Sequence, residues 1–272
     1  MATENREQTK RLPLLGTLMA LLLLTVVPLL LMMPVNRGIL LPNSPSCTPS
    51  NTPSNTYGPD DFVMENGFMT CLSAESTPGI DVSYYQGEID WQQVREAGID
   101  FAFVRLGFRR SADGTLGEDE MARKNLREAA DAGLKVGAYF FSQALTAEQA
   151  LEEARFALSI LDGFPLDLPL SYDWETVEGR DRTDGMTQQA LMDCVEAFCS
   201  EVEAAGYEAM VYFNRNLTQT LLDVEKLGDR LVWFAMYDTY PDAPCKFNYW
   251  QYTNKGTVPG IEGDVDLNLY LP

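Results

Sequence analysis

Histidine is absent from all 272 residues of this chain. That absence excludes every Ser-His-Asp or Cys-His catalytic arrangement and removes the commonest side-chain ligand of transition metals. Basic residues are scarce as well: 20 Lys and Arg stand against 40 Asp and Glu, a formal net charge of −20. A surface this acidic repels phosphate backbones and anionic lipid heads, so nucleic acid is not expected as a partner. Cysteine is limited to 5 residues, an odd number with no C-x-x-C pair, and neither zinc, another metal nor a cofactor is expected. Cys194 and Cys199 share a helical apolar stripe with Leu191, Val195, Phe198 and Val202, where a thiol serves as a small hydrophobe. Cys47, Cys71 and Cys245 fall in predicted loops, and any pairing among them stays open. Chemistry in this chain has to run on carboxylates, tyrosines, lysines or thiols.

What is present divides the chain into four parts. Residues 1–11 are polar and carry Arg6, Lys10 and Arg11; an apolar run follows from Leu12 to Met33. As a helix, about 22 residues span about 33 Å, matching a hydrocarbon thickness of about 30 Å. Pro28 inside the run is tolerated in a membrane helix. The run is longer than a signal-peptide core and lacks a clear small-x-small cleavage site, so an uncleaved anchor is expected. Basic residues before the span predict a cytoplasmic tail at 1–11 and an extracellular remainder on a single-pass cell-membrane protein. Residues 34–77 form a linker and pre-barrel segment. Its first part, rich in Pro, Ser, Thr and Asn, cannot bury enough surface to fold. Residues 58–77, with Phe62, Phe68 and Met69, either pack on the following domain or continue the tether.

Residues 78–272 alternate short apolar runs with amphipathic segments. Strands are expected at 79–82, 101–105, 134–141, 169–175, 209–213, 231–235, 247–252 and 265–269. Helices are expected at 91–97, 119–132, 146–161, 187–205 and 217–227, with Gly98, Gly133 and Gly206 closing three of them. Thr146-Ala-Glu-Gln149 has capping-box spacing. Eight strands interleaved with helices predict an α/β fold: an irregular β/α, TIM-like barrel whose last crossovers are too short for full helices. A monomer is expected.

The organising stretch is Pro169-Leu-Ser-Tyr-Asp-Trp-Glu175. Alternation along a strand sends Asp173 and Glu175 to one side and Trp174 to the other. Acids on a buried strand lose hydration, a cost retained where one carboxyl must hold a proton and another stay ionised, as in glycoside cleavage. Sites in such barrels lie at one rim, where Asp81, Asp173, Glu175 and Asp266 converge. Tyr84, Tyr139, Phe141, Trp174, Tyr212, Trp233, Tyr237 and Tyr252 are the aromatics placed comparably. Each alone is explained by core packing, but as a ring around acids they suit the apolar faces of pyranoses.

The stretches Gly79-Ile-Asp-Val-Ser-Tyr-Tyr-Gln-Gly87, Ile89-Asp-Trp91, Gly137-Ala-Tyr139, Tyr172-Asp-Trp-Glu175, Trp233–Tyr237, Tyr249-Trp-Gln-Tyr252 and Asp264-Val-Asp-Leu-Asn268 resemble glycoside hydrolase family 25. The resemblance covers residues 78–272. It implies a muramidase that cuts the β-1,4 bond between N-acetylmuramic acid and N-acetylglucosamine in peptidoglycan. It further implies Glu175 as general acid, Asp173 stabilising the N-acetyl group or the charge beside it, and Asp81 and Asp266 lining the cleft. Substrate contacts are expected from Tyr84, Tyr139, Trp174, Tyr212, Trp233, Tyr237 and Gln251. Phe140 departs from the family, many of whose members have histidine after the tyrosine. A family 18 chitinase-like barrel also ends a strand in Asp-Trp-Glu, but its pattern needs acids where this chain has Leu168 and Ser171. A wall-binding module without catalysis would not need four acids at one rim. The like charge of Asp173 and burial near Trp174 are expected to raise the pKa of Glu175.

Overall fold

The computed structural model describes residues 57–272. The predicted tail, the predicted membrane span, the linker to residue 56 and Cys47 lie outside the described residues. Among the described residues, no helix is long and apolar enough to cross a membrane.

The segment before the barrel folds. Strands β1 (Phe62–Glu65) and β2 (Phe68–Cys71) form an antiparallel hairpin closed by Asn66 and Gly67, both at positive φ. A two-residue turn of this kind matches the twist of the paired strands, and Asn-Gly is the pair that adopts it most readily. The ring of Phe62 meets Trp250 at 5.0 Å, and the Tyr252 hydroxyl accepts a hydrogen bond from the Met69 amide at 3.2 Å. Of the two readings of 58–77, packing on the domain is the one observed.

The chain then continues through β3 (Thr77–Val82), α1 (Trp91–Glu96), β4 (Phe101–Arg109), β5 (Leu116–Glu118), α2 (Ala122–Asp131), β6 (Lys135–Ser142) and α3 (Ala147–Leu161). After these come β7 (Leu170–Trp174), α4 (Gln188–Ala204), β8 (Ala209–Asn214), α5 (Arg215–Thr220), β9 (Leu231–Ala235), β10 (Tyr249–Gly256) and β11 (Val265–Tyr270). A nine-stranded sheet closes on itself where β3 pairs with β4, leaving eight strands in the barrel and short β5 appended to β4. Six of the barrel strands run parallel from β3 round to β9, and β10 joins them in parallel; β11 runs antiparallel to both β10 and β3. The ring is thus parallel-rich, as the alternating pattern implies, with only its last strand reversed. Residues 257–264 are too few for the crossover that a parallel return requires, so the chain turns back directly.

Local signals account for most helix ends. Asp90, Thr146, Thr187 and Asn214 each accept a backbone N–H in the first turn of α1, α3, α4 and α5. The reciprocal half of the box predicted at Thr146 is displaced by one residue: the Gln149 side chain accepts from the Leu145 amide instead. The helix predicted over 217–227 is α5 followed by a 3-10 turn, Val224–Leu227. The helix predicted from Asp119 begins three residues later, because Asp119 is buried and engaged by an arginine.

Alternation along each strand splits the apolar residues into two cores. Outward-facing Ile80, Val104, Ala138, Leu170, Tyr172, Trp174, Phe234 and Trp250 pack beneath the helices. Inward-facing Phe101, Phe103, Tyr139, Met210, Tyr212, Trp233 and Tyr249 fill the barrel. Two motif glycines make that filling fit: a Cβ on Gly79 would sit 2.3 Å from the Phe101 ring, and one on Gly137 would sit 2.4 Å from Phe103. Above the plugged lower barrel, a cluster of polar inward residues gathers at the opposite rim.

Candidate active site

That rim collects Asp81 from β3, Asp173 at the end of β7, Glu175 just beyond it, Gln251 from β10, and Asp266 and Asn268 from β11. Asp266 stands opposite Asp81 in the β11–β3 register. It lies near the start of its strand, and only because β11 is reversed does that start face the mouth. The sequence expectation placed it at the correct rim through the wrong strand direction.

Hydrogen bonds knit one side of the mouth. Asp81 Oδ2 accepts from Gln251 Nε2 and Asn268 Nδ2, both at 2.8 Å. Gln251 Oε1 accepts from the Tyr237 hydroxyl at 2.9 Å and the Tyr212 hydroxyl at 3.4 Å, while Trp233 Nε1 donates to Asn268 Oδ1 at 2.8 Å. The Tyr212 hydroxyl also faces the Glu175 carboxyl and lowers its pKa. Asp173 is less supported: it is buried, and its Oδ1 finds no partner among the described residues.

Crowded acids without water hold protons. Burial lifts the Asp81 carboxyl to about 6 against the hydrogen bonds from Asn268 and Gln251. Burial, then the charge and hydrogen bond of Asp81, push Asp266 to about 9. Asp173 rises well above the usual carboxylate range through burial, then through the charges of Glu175 and Asp81. Glu175 is raised by burial, is held back by the Tyr212 hydroxyl, and is pushed up again by Asp81. Glu175 is raised as expected, with burial the first cause, and the repulsion between the two acids bears on Asp173, the deeper of the pair, while Glu175 lies partly open at the mouth.

Arg105 supplies positive charge that the sequence reading missed. Inward alternation along β4 runs Phe101, Phe103, Arg105, so an arginine ends an apolar face, and that was the legible signal. Its Nε donates to Asp119 at 2.9 Å, its guanidinium lies 5.0 Å from the Tyr84 ring centre, and its charge opposes the rise of both Asp81 and Asp173. Asn268, present in a quoted motif but given no role, is the second residue missed.

Among the predicted substrate contacts, Tyr139, Tyr212, Tyr237 and Gln251 surround the acids, and Tyr84 lies against the Arg105 guanidinium, its ring tilted on exposed Tyr85 at 4.2 Å. Two predictions are corrected. Trp174 points away from the mouth into the outer core and donates its Nε1–H to the Ala144 carbonyl at 2.9 Å, as strand alternation requires. Trp233 points inward but is 1 % exposed, sealed between Phe103 and Tyr212, so it supports the floor and offers no face to a ligand. Tyr252, placed with the mouth aromatics, also faces outward, onto the hairpin. Among the described residues, no group of three or more Cys, Asp or Glu is arranged to hold a metal ion.

Comparison with known proteins agrees with this geometry. The family model described as "Glycosyl hydrolases family 25" matches residues 80–261. The chain is 26 % identical over 193 residues to the autolytic lysozyme of Clostridium acetobutylicum, covering 71 % of this chain and 55 % of the relative. It is 27 % identical over 202 residues to lysozyme M1 of Streptomyces globisporus, covering 71 % and 67 %. The solved structure of the spore cortex lytic enzyme SleM of Clostridium perfringens superposes with a TM-score of 0.63 at 25 % identity, covering 72 % of this chain and 67 % of that one. The chain thus spans about half the length of one of these curated relatives. With a matched model that covers most of the barrel and its acid-lined rim, the chain belongs to glycosyl hydrolases family 25.

Proposed function

We propose that this protein is a muramidase that hydrolyses the β-1,4 bond between N-acetylmuramic acid and N-acetylglucosamine in peptidoglycan. The observation that carries the reading is Glu175: a carboxyl whose pKa is raised by burial, yet partly open at the mouth of the barrel beside Asp173. Protonated Glu175 donates to the glycosidic oxygen as the C1–O bond breaks, and its carboxylate then takes a proton from the entering water. Asp173 steadies the substrate N-acetyl group or the positive charge that develops at the sugar ring. Asp81, held by Gln251 and Asn268, and Asp266 opposite it line the scissile sugar. Tyr84, Tyr139, Tyr212 and Tyr237 offer ring faces and hydroxyls to the glycan. The relatives named lysozyme support the substrate class.

Digesting purified peptidoglycan and identifying the new reducing-end sugar by mass analysis tests this directly. Muramic acid at the new end is expected, and glucosamine there would sink the reading. The chitinase-like alternative is disfavoured by Leu168, packed on the inner core, and by Ser171, since both stand where that pattern needs acids. Chitin oligomers left uncut would agree. The apolar run Leu12–Met33 supports retention at the outer face of the cell membrane, so that the enzyme trims wall close to its own membrane. Recovery of the protein free in the culture medium, lacking the residues before Pro42, would overturn that part.

A further inference from the structure

We propose that Gln143 is a positioning residue for the general acid, acting through the backbone carbonyl of Glu175; the inference rests on the assignment of Glu175 above. Gln143 directly follows β6 and is fully buried, an unusual location for an uncharged polar chain of this length. Its Nε2 donates to the Glu175 carbonyl, and also to the Ser142 carbonyl at 3.3 Å. Two carbonyl acceptors fix which end of the amide is the NH2, because the reversed amide would set oxygen against oxygen. The other end, Oε1, is buried with no partner among the described residues. An apolar side chain of similar shape would avoid that unsatisfied acceptor, so the fold retains the amide for its donor.

The donor acts where the chain most needs holding. Strand β7 ends at Trp174, so the Glu175 carbonyl has left the sheet ladder, and an irregular loop follows to Thr187. The main chain of Gln143 restrains the same loop a second time. Its carbonyl accepts from Arg182 Nε at 3.0 Å, and Arg182 Nη2 reaches Gln149 Oε1 at 3.0 Å. One residue thus clamps the catalytic loop at both Glu175 and Arg182. Its own place is set by neighbouring Ser142, which donates to buried Glu153 at 2.6 Å. A carboxyl at the end of a strand needs its backbone held to keep the proton aimed at the glycosidic oxygen, and small misplacements of reacting groups cost large factors in rate.

Steady-state kinetics on soluble peptidoglycan fragments, across pH, with Gln143→Leu, Gln143→Glu and Glu175→Gln in the full chain, test the proposal. Gln143→Leu is expected to lower kcat about tenfold with KM unchanged. Gln143→Glu keeps the shape. Its protonated carboxyl can donate to the Glu175 carbonyl and its ionised form cannot, so kcat should approach the parent at low pH and fall away as pH rises. A structural role alone would not produce that added pH limb. Gln143→Leu with kcat within twofold of the parent overturns the proposal, and so does an equal, pH-independent loss in both Gln143 variants. An active Glu175→Gln overturns the acid assignment itself; a dead Glu175→Gln beside a fully active Gln143→Leu removes Gln143 alone. If Gln143→Leu does not fold, the pH dependence of the isosteric Gln143→Glu decides.

Discussion

Buried carboxyls lie on opposite sides of the β6–β7 wall, Glu153 outside and the acids of the mouth inside, and the two groups are built on opposite rules. Outside the barrel, Glu153 on α3 is fully buried and fully partnered: Arg109 Nε donates to one oxygen at 2.7 Å and Ser142 Oγ to the other at 2.6 Å. The remaining Arg109 donors go to the Gly114 carbonyl, the Gln149 carbonyl and Glu152. At the barrel mouth, Asp81, Asp173, Glu175 and Asp266 crowd together with one nearby arginine, itself engaged by Asp119. A buried acid with its own cation belongs to the architecture, since removing either partner strands a charge. Buried acids that face one another are held at a cost to stability, and the reason to hold them is chemistry.

Substitutions should separate the two groups. The largest effect expected is on turnover: Glu175→Gln keeps the shape but has no proton to give, and kcat should fall by about 10²–10⁴. The thermal midpoint should stay level or rise in the same variant, because a like charge is gone. Glu153→Ala should do the reverse. It leaves the Arg109 guanidinium buried without its main partner, a loss of about 3–5 kcal/mol measured by denaturant unfolding. Turnover per folded molecule should fall far less than in Glu175→Gln. If Glu153→Ala proves as stable as the parent, the contrast between the groups is wrong.

Asp266→Asn sharpens the comparison through pH. In the folded protein burial and the charge of Asp81 push this carboxyl up to about 9, far above the roughly 4 of a free aspartate. The unfolded chain therefore releases the proton first. Stability from this group is full below the lower value and is lost as pH climbs toward the upper one. The asparagine variant should match the parent near pH 4 and exceed it progressively toward pH 9, by on the order of 2 kcal/mol. A gain that is the same at every pH would argue against a proton held between Asp266 and Asp81.

Much of this contrast was legible in the sequence, and the parts that were not have physical reasons. Period-two alternation sent Asp173 and Glu175 inward and Trp174 outward, and the structure agrees; counting Trp174 among sugar contacts contradicted that same alternation. Trp233 obeys the pattern yet is covered, because inwardness follows from sequence whereas depth depends on how large neighbours such as Phe103 and Tyr212 fill the barrel. The reversal of β11 was signalled by the short stretch before it, which suggested irregularity but was not carried through to strand direction. The Arg109–Glu153 pair joins a strand to a helix 44 residues apart, and spacing alone does not reveal such a meeting. The hairpin at 62–71 was marked by Asn66-Gly67, a turn signal overshadowed by the Pro- and Ser-rich run before it.

The smallest effect expected concerns Tyr212, which touches both halves of the mouth. Its hydroxyl reaches Gln251 Oε1, in the network that holds Asp81, and it also faces Glu175. A donor to the ionised carboxylate lowers the Glu175 pKa, opposing the lift from burial and from Asp81. The proposed acid role requires protonated Glu175, so activity should decline as pH rises through that pKa, and this decline forms the alkaline limb of the kcat profile. Tyr212→Phe removes the donor, leaves the ring in the inner core, and should move the alkaline limb to higher pH with little change in the plateau. A limb that moves to lower pH would mean the hydroxyl favours the protonated acid. An unmoved limb would show that another group in the cluster sets it, with Asp173 first in line because it lies deepest and one of its oxygens has no partner among the described residues.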